Sequence, residues 1–212
     1  MFRLVPTLTN KLAHLAQENR RVGFLPDALS TEQTIYLLGQ LWPNVNTNLF
    51  FDFVNGEVRS GWFDYDASPK PPNTNMSANQ LKALFAQQGR FEMNLNEYIV
   101  ASQDNHLFTN KYLDESPYES LLLGTGVNYG FSPAPVAKVH FLSGLMFLEA
   151  EMINYFRTPY LGGRSVGKHY NSTSEVHMHL RGANSKRRDN KVYDVILYIN
   201  LLFCMNRLSQ PN

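Results

Sequence analysis

The stretch from Glu175 to Arg181 alternates polar and apolar side chains, and its polar positions are Glu175, His177, His179 and Arg181. On a β-strand, successive side chains point to opposite faces, so these four would share one face. Imidazole titrates near neutral pH, and two neighbouring histidines can act as an acid–base pair in phosphodiester cleavage. We therefore predict His177 and His179 as catalytic residues, with Arg181 stabilising negative charge.

The same histidines are open to two other interpretations. Together with His169 or Glu175 they could bind a divalent metal, which would indicate a metal- or small-phosphate-dependent enzyme. A half-exposed strand with a solvated polar face gives the same pattern without any chemistry. The catalytic prediction needs no metal, and we predict no cofactor. Whether the protein is an enzyme stays open at this point.

Basic residues and glycines are concentrated around this strand. Gly162 to Arg188 holds six of the 19 Lys and Arg residues together with four glycines. Exposed backbone amides and cationic side chains both bind phosphate, and a net charge of only +1 means that local clustering must supply the attraction. Tyr170 and Tyr193 could stack on unpaired bases, which favours RNA or single strands. The predicted nucleic-acid surface consists of Arg164, Lys168, His169, Lys186, Arg187, Arg188 and Lys191.

Two short motifs overlap in this segment. Gly162 to His169 nearly matches the phosphate loop G-x-x-x-x-G-K-[ST], with histidine in place of the hydroxyl that holds magnesium. A predicted helix precedes it where a phosphate loop needs a strand, so a glycine loop is the better interpretation. Arg164 and His169 also have the R-x4-H spacing, which resembles the catalytic motif of HEPN ribonucleases. In that all-helical family the Arg and His act without metal, whereas Gly167 disfavours a helix here.

Several elements that would position these residues have local signals. Ser77–Gln80 is a capping box that predicts a helix ending near Gly89. Alternating apolar residues predict a strand over Phe91–Val100. Asn55-Gly56 suits a two-residue turn, so we predict a hairpin over residues 47–64.

Two long apolar segments dominate the C-terminal half. Val136–Phe156 and Lys191–Leu208 have apolar residues around most of a helical circumference, which predicts two largely buried helices. The predicted fold is therefore α+β, with a small antiparallel sheet including the 47–64 hairpin packed with two long C-terminal helices. We predict one domain over residues 1–212, with a soft boundary at the proline-rich loop 67–75.

Composition limits the classes of function. The chain is 43% apolar, 13% aromatic and 17% charged, which argues against disorder. It has no apolar run near the roughly 18 residues that span a bilayer and no secretory signal pattern, so we expect a cytoplasmic protein without membrane contact. The leading hypothesis is an RNA- or single-strand-binding protein with metal-independent ribonuclease activity as an extension. The low charge content supports the alternative, a non-catalytic adaptor or structural subunit whose partners are proteins.

Overall fold

The computed structural model describes residues 19–25, 45–47, 52–57, 59–128, 135–152 and 157–167, and every structural statement below concerns these ranges. They contain ten strands and two helices. The strands are β1 (Arg20–Leu25), β2 (Val45–Thr47), β3 (Asp52–Asn55), β4 (Gly61–Asp66), β5 (Phe91–Glu92), β6 (Glu119–Asn128), β7 (Val136–Leu142), β8 (Leu145–Glu151), β9 (Leu161–Gly163) and β10 (Ser165–Val166). The helices are α1 (Ala78–Gln87) and α2 (Leu95–Thr109).

The strands form two sheets. The first has the order β1-β4-β10-β5 and is antiparallel throughout. The second has the order β2-β8-β7-β6-β3, and β9 also pairs with β6. In this second sheet β2 and β9 run parallel to their neighbours, while the other pairs are antiparallel. The chain passes from the second sheet to the first between β9 and β10, so Arg164 is the crossover residue.

Helix α2 joins the two sheets through the main core. Its buried Tyr98, Ile99 and Ala101 share one cluster with side chains of both sheets. The first sheet contributes Leu25, Phe63, Tyr65 and Val166, and the second contributes Leu122, Ala137, Val139, Phe141, Met146 and Leu148. Burial of these apolar side chains is the main force that holds the sheets together.

Helix α1 packs in a second, smaller core. Its Leu81 and Phe85 are buried against Leu121 and Leu123 of β6. The predicted capping box is confirmed, because the Ser77 hydroxyl accepts from the amide of Gln80 and the Gln80 side chain accepts from the amide of Ser77. The second sheet is thus covered by α2 on one face and partly by α1 on the other.

The predicted helix over residues 136–156 is wrong for the part that the structure describes. Strands β7 and β8 form a hairpin there, with Val139 opposite Leu148 and Leu142 opposite Leu145. Ser143 and Gly144 make its two-residue turn, with positive φ values of 52° and 79°. Glycine adopts the left-handed backbone that such a turn requires without steric cost, whereas Ser143 adopts it against its usual preference. The apolar residues whose spacing predicted a helix are therefore divided between two strands that pair with each other.

The predicted 47–64 hairpin is also wrong. Strand β3 pairs with β6 in the second sheet, whereas β4 pairs with β1 in the first. The Asn55 side chain accepts a hydrogen bond from the hydroxyl of Thr125 at 2.6 Å, and the amide of Gly56 donates to the carbonyl of Gly124 at 2.9 Å. Asn55-Gly56 is consequently bound to β6, and the two segments diverge into different sheets.

The predicted strand over residues 91–100 holds only for Phe91–Glu92. Asn94 then caps helix α2, because its side chain accepts from the amide of Glu97 and the Glu97 carboxylate accepts from the amide of Asn94. Nearly every residue of the first two turns of α2 is buried. A helix that is covered on all sides has no polar stripe, so its sequence lacks the helical pattern.

The fold class predicted from the sequence is thus corrected. The described chain has two mostly antiparallel sheets and two short helices, in place of a small sheet packed with two long helices. The predicted helix over Lys191–Leu208 lies outside the described residues. The single-domain prediction with a soft boundary at 67–75 stays a prediction. Neither helix within the described ranges has the length and hydropathy to cross a bilayer.

Asp104 of α2 makes the folding stability depend on pH. Its carboxylate is buried and accepts hydrogen bonds from Tyr65 and from Arg21 Nε, the latter at 3.0 Å. Burial raises the pKa of Asp104, and the opposing effects of Arg21 and Tyr65 do not cancel this rise. The folded protein therefore binds this proton more tightly than the unfolded chain. The free energy of unfolding must fall as pH rises from the ordinary carboxyl value, about 3.9, to the raised folded value.

We expect Asp104→Asn to remove this part of the pH dependence, because an amide does not ionise. Unfolding by urea at several pH values between about 4 and 7 measures the effect. The stability of the wild type relative to the variant should fall with increasing pH. A difference that stays constant or increases with pH would show that Asp104 is not held with a raised pKa.

Candidate functional site

Arg164 alone among the ten predicted site residues lies in the described chain, and its side chain is 1% exposed. Its Nε donates to Asp114 Oδ2 at 2.9 Å, and its Nη2 donates to Asp114 Oδ1 at 2.7 Å. The remaining donors reach the carbonyls of Asp66 at 2.9 Å and Ser68 at 2.8 Å. All of these partners lie inside the protein, so the guanidinium faces away from solvent.

Arg164 and Asp114 connect segments that are far apart in the chain. Asp114 has no exposed surface, its amide donates to the carbonyl of Pro69, and its carbonyl accepts from the amide of Phe141. Burial by itself would lower the pKa of Arg164, but the charge of Asp114 and its hydrogen bonds outweigh burial and raise that pKa. Arg164 is therefore charged, and its contacts with Asp114 and with the carbonyls of Asp66 and Ser68 fix the crossover between the sheets to the 66–69 loop.

The glycines of the predicted phosphate loop serve close packing. A Cβ on Gly162 would lie 2.8 Å from the carbonyl oxygen of Pro72, and one on Gly167 would lie 1.7 Å from Asp64 Oδ1. Residues 161–167 are all buried, and within them β9 of one sheet leads directly into β10 of the other. The described part of this motif offers no exposed amides to a phosphate. The helical setting implied by the resemblance to HEPN ribonucleases is likewise not found at Arg164.

Gly167, the last residue that the structure describes, lies beside an open cleft. Strand β10 lies between β4 and β5, with Val166 opposite Phe91. The amide of Gly167 donates to the carbonyl of Asp64 at 3.0 Å, and the Asp64 carboxylate binds Arg90 at 2.9 Å. Arg90 and Phe91 both line the cleft. Lys168, the first basic residue of the C-terminal segment, follows Gly167 directly in the sequence.

The cleft has a volume of about 440 Å³ and is bounded by α1, β5, β6 and the residues after β3. Gly56, Gly124 and Gly126 give it a floor without side chains. Phe91 forms one wall and is 41% exposed. Three further apolar residues and five charged residues complete the lining, namely Phe85, Ala86, Leu123, Glu57, Arg59, Lys82, Arg90 and Glu92.

The cations of the cleft differ in how firmly they are paired. Arg59 Nε lies 2.9 Å from the buried carboxylate of Glu97, and its Nη2 donates to the carbonyl of Glu92 at 2.6 Å. Arg90 binds Asp64 and also donates to the hydroxyl and carbonyl of Ser165. Burial lowers the pKa of Arg90 more than Asp64 raises it. Lys82 is 41% exposed and has only a 3.9 Å contact with Glu92.

A separate charged cluster lies on the second sheet. The ammonium of Lys138 is 3.0 Å from Glu149, 3.4 Å from Glu151 and 3.5 Å from Glu119. Burial would lower the pKa of Lys138, but the hydrogen bond with Glu149 and the three carboxylate charges raise it. The lysine occupies the centre of the carboxylates, and no group of metal-ligating side chains suited to an ion is found in the described ranges. This cluster has the features of an ion-pair network.

The other predicted site residues lie outside the described ranges, so their roles stay predictions. They are Lys168, His169, His177, His179, Arg181, Lys186, Arg187, Arg188 and Lys191. The cleft was not predicted from the sequence. Its residues come from four separate stretches of chain, and only the folded structure brings them together. The exposed Phe91, placed between two charged residues, was the one local signal.

Comparison with known proteins supplies no relative for this chain. No family model, curated protein or solved structure matches it.

Proposed function

We propose that this protein binds single-stranded nucleic acid, with RNA favoured, through the basic segment 168–191. The observation that carries the proposal is the position of Gly167, where the chain enters the basic segment beside Asp64 and Arg90. The segment thus begins next to β5, which carries the exposed Phe91. Cationic side chains and an aromatic platform are the two features that single-strand-binding surfaces combine.

The charge of the proposed surface comes mainly from the segment. Residues 168–191 contain six Lys and Arg residues against two carboxylates, although the whole chain has a net charge of only +1. Arg59 and Arg90 are neutralised by Glu97 and Asp64, so the cleft contributes little net charge. Lysine and arginine that contact phosphates release counterions, which makes binding sensitive to salt. The proposal retains the expected cytoplasmic location.

Binding is tested with a labelled single-stranded RNA of about ten nucleotides, titrated by fluorescence anisotropy at several salt concentrations. We expect the triple variant Lys186→Ala, Arg187→Ala, Arg188→Ala to bind more weakly. The magnitude of its slope of log K against log salt should be smaller by about 2, because each of the three lost phosphate contacts contributes roughly 0.7.

The matched control removes three exposed cations elsewhere, in the triple variant Lys70→Ala, Lys111→Ala, Arg157→Ala. This variant has the same net charge as the first one and should keep the affinity and salt slope of the wild type. Equal losses in both triple variants would mean that net charge alone drives binding. Absence of binding by the wild type would contradict the proposal and direct the search to protein partners.

The proposal includes RNA cleavage without metal as its catalytic extension. One histidine of the pair His177 and His179 would take the proton of the ribose 2′-hydroxyl as its oxygen attacks phosphorus. The other would protonate the departing 5′-oxygen, which leaves a 2′,3′-cyclic phosphate, while Arg181 stabilises the phosphoryl oxygens. Cleavage in the presence of a chelator, lost in His177→Ala and His179→Ala, is the expected result. Binding without cleavage would remove the catalytic extension alone.

A further inference from the structure

The cleft beside β5 has the size and floor of a site for one planar group. Its volume of about 440 Å³ lies within the range of small-ligand pockets. The floor at Gly56 and Gly126 has no side chains, and a Cβ on Gly126 would meet nothing closer than the carbonyl oxygen of Val54 at 3.9 Å. A flat ring can therefore approach the backbone of β6 closely.

Phe91 gives this site a fixed aromatic wall. The guanidinium of Arg59 lies 5.3 Å from the centroid of the Phe91 ring and is itself held by Glu97 and the carbonyl of Glu92. These contacts hold Arg59 against one side of the ring, while 41% of the Phe91 residue stays exposed. An aromatic ring restrained in this way is suited to stack on a nucleobase, since every base presents a π face.

The charges of the cleft select one phosphate at one side. Lys82 is the least firmly paired cation, with a side chain 41% exposed and 3.9 Å from Glu92. The carboxylate of Glu57, which also lines the cleft, is 68% exposed and lies 4.0 Å from Arg59. A phosphate would be attracted by Lys82 and repelled by Glu57, so the Lys82 side of the cleft is the favoured position for a single phosphate.

We propose that the cleft binds a single unpaired nucleobase, stacked on Phe91, with its adjoining phosphate at Lys82. This inference rests on the proposed function, because it assigns one nucleotide of the bound strand to the cleft. It adds a binding site that is separate from the basic segment.

The test compares RNA affinity in four single variants. Three of them change different parts of the cleft, and the fourth is a control outside it. Phe91→Leu removes the stacking ring and should weaken binding roughly tenfold with an unchanged salt slope. Gly126→Leu adds a side chain at the floor, where a Cβ meets only an ordinary contact at 3.9 Å, and should weaken binding comparably. Lys82→Gln should reduce the magnitude of the salt slope by about 0.7, the contribution of one phosphate contact. Tyr160→Leu is the matched control, because Tyr160 is a 49% exposed aromatic that does not line the cleft, and its affinity should equal that of the wild type.

A second assay uses adenosine 5′-monophosphate alone, with binding to the wild type and Gly126→Leu detected by NMR of the ligand. Binding by the wild type that Gly126→Leu abolishes supports the cleft site. If RNA binds but Phe91→Leu and Gly126→Leu both retain wild-type affinity, the inference is overturned and the proposed function stands. If RNA does not bind while the mononucleotide does, the proposed function fails and the nucleotide site remains. If neither ligand binds, both are overturned. Thermal unfolding of each variant verifies that it is folded.

Discussion

Asp114→Ala is expected to lower the free energy of unfolding by about 3–5 kcal/mol, the usual effect of removing one partner of a buried ion pair. The substitution would leave the guanidinium of Arg164, which is 1% exposed, without its countercharge. Asp114 also orients that guanidinium, which binds the carbonyls of Asp66 and Ser68. The substitution would therefore weaken the contacts that hold the 66–69 loop. Urea unfolding of the variant and the wild type measures the change.

A double variant separates the buried charge from the rest of the contact. Arg164→Met combined with Asp114→Leu removes both charges, so it should be more stable than Asp114→Ala alone. It should not regain the full stability of the wild type, since two buried carbonyls lose their donors. Lys82→Gln is the exposed comparison and should cost less than about 1 kcal/mol. A loss below 1 kcal/mol in Asp114→Ala would mean that the pair does not fix the crossover.

Gly167→Ala is expected to cost about 1–3 kcal/mol, the range for forcing an added group into packed structure. The new Cβ would lie 1.7 Å from Asp64 Oδ1, so the carboxylate would have to move. Arg20 at 3.2 Å and Arg90 at 2.9 Å hold that carboxylate in place. The cost is therefore the disruption of these ion pairs, and it is measured by thermal or urea unfolding.

A double-mutant cycle identifies the cause of this loss. In the background of Asp64→Ala the clashing carboxylate is absent, so Gly167→Ala should cost much less than in the wild type. Gly126→Ala is the matched glycine control, because its Cβ meets only an ordinary contact at 3.9 Å. Equal costs of Gly167→Ala in both backgrounds would show that Asp64 is not the obstacle.

Local signals in the sequence predicted part of the fold correctly. The capping box at Ser77 begins α1 because both of its hydrogen bonds form within four residues. Asn94 and Glu97 form a second such box, but the alternation of Phe91, Met93 and Leu95 favoured a longer strand. The Ser143-Gly144 turn was also visible in the sequence, although the spacing of apolar residues around it matched a helix.

The remaining errors concern contacts that are distant in the sequence. Asn55-Gly56 would make a hairpin turn if β3 and β4 paired, but β3 pairs instead with residues around position 126. Arg164 looks like a phosphate ligand because its partner Asp114 is 50 residues away. No sequence pattern indicates that these two side chains meet in the core. The cleft was missed for the same reason, since Arg59, Lys82 and Phe91 come from three different elements.

The structure also changes the interpretation of the glycine-rich segment, Gly162–Arg188. Its first part, residues 162–167, is buried and structural, and it sets where the chain emerges. Its basic part follows Gly167, which binds Asp64, the partner of Arg90. The nucleic-acid proposal therefore requires phosphate contacts from residues 168–191, with Arg164 acting only through the fold.

The most direct test of this account is the affinity of the wild-type protein for single-stranded RNA as a function of salt. Up to six cations in the segment would give a slope of log K against log salt between about −2 and −4. We expect saturable binding, with log K falling linearly with log salt at such a slope between about 50 and 200 mM salt. Absence of saturable binding, or an affinity that does not change with salt, would contradict it.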